Sequence, residues 1–128
     1  MSIELTLLIW SVALAVVQAL VAFAGATLEF GLPDTAGDRE KLPPADSFAG
    51  RAQRASQNML ESLVLFSVLV VATELTNRNN ASTELGAQVF FGARAVYAVI
   101  AVVGLPWLRT AIWCVSIAAL LLVLAQLI

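Results

Sequence analysis

The sequence predicts an all-α membrane protein, a single domain over residues 1–128, folded as a left-handed bundle of four transmembrane helices. Three observations predict this class. The chain is 60% hydrophobic and only 12% charged, against roughly 45–50% and about 25% in soluble domains. Its mean hydropathy is +0.89. Four stretches each meet the about 20 mostly apolar residues that a spanning helix needs, and together they take up most of the chain.

The first span is Leu5 to Leu28, interrupted by little more than Gln18 and small residues. It is too long for a secretory signal, and Met1-Ser2-Ile3-Glu4 lacks the positive leader of one, so it is expected to stay on the chain. A polar connection follows from Glu29 to Gly50, with Gly31, Pro33, Gly37, Pro43 and Pro44 among mixed charges; such a segment reads as a loop outside the bilayer. The second span runs from Ala55 to Leu75, with Asn58 and Glu61 near its start, and a polar turn from Asn77 to Ser82 ends it. The third runs from Leu85 to Leu105 and carries Arg94. The fourth, Trp107 to Ile128, carries Arg109 in its first turn. Gly104 and Pro106 mark the break between them, a helix stop followed by a helix start. Short links make spans two, three and four antiparallel neighbours.

The distribution of Lys and Arg sets the expected orientation. Arg39, Lys41, Arg51 and Arg54 lie in or beside the first connection and Arg109 in the third, against Arg78 alone on the other side. Both termini should therefore face away from the cytoplasm. Asn80-Ala81-Ser82 matches a glycosylation pattern, but it lies too close to the membrane and is too common to carry weight.

Composition also excludes functions. A net charge of −2 with no basic run gives a nucleic-acid partner no electrostatic support. The absence of His removes the commonest metal ligand and the usual general base, and no metal site is expected. The single Cys114 cannot form an internal disulfide and reads as a small packed hydrophobe.

The chemistry concentrates in two spans. Arg51, Arg54, Asn58 and Glu61 are spaced i, i+3, i+7, i+10 and share one helical face. Glu61 lies about 15 Å along the axis from Arg51, and Arg94 about 16 Å from Leu105. The two opposite charges can therefore meet at one level, which is how charges usually survive in a bilayer. One turn nearer the expected cytoplasmic side, Asn58 reaches the level of Tyr97, and the arginines 51, 54 and 109 gather at the mouth. Plainer readings exist for each. The Glu61–Arg94 pair could be a packing clamp, Arg51 and Arg54 could be snorkelling flank charges, and Tyr97 a core aromatic. Three arginines converging on one polar cleft still fit a ligand with several carboxylates, since the guanidinium fork binds carboxylates bidentately. Such a charge near a thiol would also favour the thiolate.

The run Arg51-Ala-Gln-Arg54-Ala-Ser-Gln-Asn58-Met-Leu-Glu61 resembles the helix-two signature R-A-x-x-N-x-x-E of the MAPEG family, the membrane-associated proteins in eicosanoid and glutathione metabolism. Phe91-Gly-Ala-Arg94-Ala-Val-Tyr97 and Gly104-Leu-Pro106-Trp-Leu-Arg109-Thr-Ala-Ile-Trp113 resemble the same family's third and fourth helices. The resemblance implies a homotrimer and a glutathione-dependent microsomal-type transferase or peroxidase acting on a lipophilic electrophile or lipid hydroperoxide, in detoxification or eicosanoid-like chemistry. It implies that glutathione is the co-substrate, held by Arg51, Arg54, Asn58, Glu61, Arg94 and Tyr97. Arg109 would stabilise the thiolate, with Thr110 beside it as a hydroxyl donor. The electrophile would reach an apolar groove between subunits from the surrounding membrane lipids. Where many relatives carry a second Tyr, this chain has Ala101, which weakens the case for strong transferase activity. A non-catalytic lipid-binding or scaffold member is therefore the main alternative. A small multidrug transporter fits less well, because its embedded Glu usually lies in the first span. Minimal loops and the lack of a retention tail suit a bacterial inner membrane.

Overall fold

The computed structural model describes residues 1–30 and 47–128. Arg39 and Lys41, and most of the polar connection that carries them, lie outside the described residues. Four helices make up the described structure: α1 (Ile3–Phe30), α2 (Phe48–Thr76), α3 (Ala81–Val103) and α4 (Pro106–Leu127). Each is long and apolar enough to cross a membrane. α1 packs on α2 and α3, and α4 packs mainly on α3.

The first two helices run past the predicted spans at both ends, most of all at the start of α2, whereas α3 and α4 start earlier than predicted and end short of the predicted Leu105 and Ile128. Ser47 caps this end, its side chain accepting a hydrogen bond of 3.0 Å from the Gly50 amide. Such a cap satisfies one of the orphan amides of the first turn. The sequence places the span at Ala55 because the apolar run begins there; the helix itself extends through Arg51 and Arg54, which are good helix formers. Asn77 ends α2 in the left-handed conformation at φ 54°. Asn80 then starts α3 with a reciprocal capping box. Its side chain accepts from the Thr83 amide, and the Thr83 hydroxyl accepts from the Asn80 amide, both at 2.9 Å. Gly104 closes α3 at φ 90°, a conformation that favours glycine. Pro106 opens α4 at a position where its missing amide costs nothing.

Packing follows a heptad-like stripe of small and polar residues on α1: Glu4, Ser11, Ala15, Gln18, Ala22 and Gly25 are buried. Small residues let membrane helices approach closely. At Gly25, an added Cβ would stand 3.2 Å from the Phe48 ring; at Gly86, it would stand 2.5 Å from a Val123 methyl carbon. A core cluster lies between α2, α3 and α4 with leucines of α1 packed against it, and in it the Phe66 and Phe90 rings stack 4.2 Å apart among Val70, Ala87, Ala119 and Leu120. Trp10 meets Phe91 edge-on and ties α1 to α3. At the opposite end from Arg51, Glu4 is fully buried and accepts a hydrogen bond from Asn79, which also donates to Glu74. Buried hydroxyls return their hydrogen bonds to the preceding turn, as Ser62 does to the Asn58 and Met59 carbonyls and Thr73 to Leu69. Large apolar side chains such as Leu20, Val64, Val99 and Leu121 lie exposed around the outside. A surface of that kind is at home in hydrocarbon.

Candidate functional site

α2, α3 and the first two turns of α4 enclose a cleft of about 400 Å³ lined by Arg54, Asn58, Tyr97, Arg109, Thr110 and Trp113. Three local features build it. The Ser47 cap extends α2 far enough to place Arg54 at its mouth. The turn at Gly104 and Pro106 folds α4 back, so that Arg109 falls in its first turn and Thr110 opens the second. Tyr97 packs with Ala55, Ala101 and Ile112 and is 6% exposed, which fixes its ring between α2 and α4. Asn58 and Tyr97 thus share one level, as their depths in the sequence predict.

The polar atoms differ in how they are occupied. The Asn58 side-chain oxygen is buried with no hydrogen-bond partner among the described residues, which leaves an acceptor at the cleft wall. The Thr110 hydroxyl donates to the Pro106 carbonyl at 3.1 Å, keeping its lone pairs available. Arg54 is exposed at the mouth, while Arg109 is half-buried. Trp113, one helical turn after Arg109, adds an aromatic wall. The sequence reading gave it no role, although its spacing from Arg109 places it on the same face.

Three expected ligand residues lie elsewhere. Arg51 donates from Nε to the Val102 carbonyl at 2.8 Å and lies under Gly104, tying α2 to the end of α3. Arg94 is completely buried behind the cleft. Its guanidinium carbon lies 4.2 Å from the centre of the Tyr97 ring, and its side-chain nitrogens have no hydrogen-bond partner among the described residues. Glu61 is exposed.

The expected Glu61–Arg94 ion pair is therefore corrected: the two charges do not meet within the chain. The reason is helical phase. The inward stripe of α2 runs through Ala52, Ala55, Met59, Ser62, Phe66, Val70 and Thr73. Arg51, Arg54, Asn58 and Glu61 each lie one residue earlier, about 100° around the helix. Ser62 takes the inward place, and Glu61 points away from the bundle. Matched depth was legible in the sequence; the phase of the packing stripe was not.

The cleft therefore combines two guanidinium groups, one free amide acceptor, two hydroxyls and an indole, at a wall that reaches from an end of the bundle into its apolar interior. It can bind a compact polyanion or zwitterion and hold a reacting atom beside Arg109 and Thr110. The four long apolar helices make the chain an integral, multi-pass membrane protein. Neither a curated protein nor a solved structure gives a match to the chain. The family model of the MAPEG family matches residues 7–128, nearly the full chain. The chain belongs to the MAPEG family, whose members are membrane proteins related to glutathione and eicosanoid chemistry.

Proposed function

We propose that the protein is a glutathione-dependent membrane transferase with peroxidase capability, working as a homotrimer with its termini away from the cytoplasm in a bacterial inner membrane. The observation that carries this reading is the convergence of Arg54, Asn58, Tyr97, Arg109 and Thr110 on one cleft. Arg54 forks a glutathione carboxylate, and the unpartnered Asn58 oxygen accepts from a peptide N–H. Arg109 and Thr110 hold the sulfur. A free thiol titrates near ~8.5, and a guanidinium beside it favours the thiolate. The thiolate attacks the electrophile, forms the carbon–sulfur bond and releases the leaving group. With a hydroperoxide, two glutathione molecules become the disulfide while the peroxide becomes an alcohol and water.

The outward Glu61 fits a trimer. An exposed carboxylate on a membrane-spanning helix is costly against lipid, and a neighbouring subunit's cleft would give it the glutathione amino group to bind. Arg94 acts here as a positioning residue, holding the Tyr97 ring from behind.

One observation favours binding without catalysis. Ala101 is buried against Ala55 and Tyr97 and contributes no hydroxyl to the cleft. Calorimetry of glutathione binding to the purified protein, followed by turnover with a generic aromatic electrophile and a lipid hydroperoxide, separates the readings. Binding with turnover supports the transferase, binding without turnover supports a non-catalytic member, and no binding defeats the glutathione-dependent reading.

A further inference from the structure

A second cavity, of about 380 Å³, lies between α1 and α3 with α2 as its floor. That volume falls within the range of about 300–1,000 Å³ typical of small-molecule sites. Its walls follow the helix axes, from Leu14 to Val21 on α1 and from Ala95 to Val103 on α3. The slot is therefore about 10 Å long and runs lengthwise through the bundle. Ala52 and Ala55 keep its floor low. Ala55 also packs against Tyr97, so this wall separates the slot from the polar cleft. Val17, Val99 and Val103 on the rim are more than half exposed, and the slot opens sideways.

Apart from Gln18, every residue lining the slot is Ala, Val or Leu. Gln18 is 7% exposed, and both polar atoms of its amide are buried with no hydrogen-bond partner among the described residues. An amide left unbonded in hydrocarbon is strongly unfavourable. Gln18 stands near the middle of α1, about 15 Å along the helix axis from Leu28.

We infer that this slot is a lipid site for a single extended chain carrying a hydroxyl part-way along its length. The slot's shape selects an extended chain over a flat ring system. No charged residue lines it, so the enclosed part of the ligand is neutral. The Gln18 amide offers both a donor and an acceptor, and a hydroxyl answers both. Its depth places that hydroxyl along the chain rather than at the head. The site lies within one subunit and stands whether or not glutathione fills the other cleft.

Native mass spectrometry of the purified protein, offered stearic acid and a mid-chain hydroxystearic acid in equal amounts, tests this. Wild type should favour the hydroxylated chain by about tenfold. Gln18→Leu should bind both chains about equally, and Ala98→Phe, which fills the slot, should bind neither. Should Ala98→Phe fail to fold, Ala98→Leu should weaken both. Equal binding by wild type, a preference unmoved by Gln18→Leu, or binding undiminished by the Ala98 variants would overturn the site. So would a slot closed by a second copy of the chain, seen as no lipid binding together with a lower oligomeric mass in Ala98→Phe.

Discussion

The Arg94 guanidinium lies 4.2 Å from the centre of the Tyr97 ring, wholly buried, with no acid answering it among the described residues. The π face is the one favourable electrostatic contact that charge makes among the described residues. Desolvated contacts of this type contribute about 2 kcal/mol. Tyr97→Leu should therefore destabilise the bundle by about 2 kcal/mol more than Tyr97→Phe, which keeps the ring. Unfolding in mixed detergent micelles reads the difference. Equal losses for the two variants would mean that the hydroxyl, not the ring, holds Arg94.

The phase of α2 makes a second prediction. Glu61 and Arg94 point to different surroundings, so Glu61→Gln and Arg94→Gln should be additive in a double-mutant cycle, within about 0.5 kcal/mol. A coupling energy above about 1 kcal/mol would restore the ion pair that the sequence alone suggests.

Gly104 joins two functions in one residue. At φ 90° it favours glycine, and an added Cβ would lie 3.3 Å from the Arg51 side chain. Gly104→Ala should cost about 1–2 kcal/mol from the backbone alone. It should also loosen the Arg51 bond to the Val102 carbonyl. Faster hydrogen exchange at the α3–α4 turn should accompany the lower melting temperature; unchanged exchange would contradict the link.

At Gly86, the α3–α4 seam is tight enough to forbid a methyl. Gly86→Ala places a carbon 2.5 Å from a Val123 methyl carbon and 3.1 Å from the Ala119 carbonyl oxygen. Overpacking of this kind costs about 1–3 kcal/mol. Val123→Ala should relieve the first contact and not the second, so the double variant should recover only part of the loss. Full recovery would show that the backbone contact yields freely.

Much of this was legible in the sequence, and the misses share a cause. Apolar run length found all four helices, and Gly104 and Pro106 marked the α3–α4 break. Run length measures the bilayer rather than the helix, so it missed the first turns of α2, where Ser47 supplies the cap. Periodicity placed Arg54, Asn58 and Glu61 on one face. It could not say that Ser62, one position on, would take the interior. Gln18 read as a mere interruption of the first span, because its significance depends on which residues of α3 and α2 surround it. Trp113 belongs to the cleft only because α4 folds back at Pro106.

The most direct test of the proposed chemistry measures bound glutathione and its thiolate absorbance together, in wild type and in Arg109→Ala. Wild type should bind glutathione largely as thiolate at neutral pH. Arg109→Ala should lose at least tenfold in thiolate-to-thiol ratio, about 1.4 kcal/mol, with a smaller loss of affinity. Failure of wild type to bind glutathione, or a thiolate signal that survives loss of Arg109, would contradict the account.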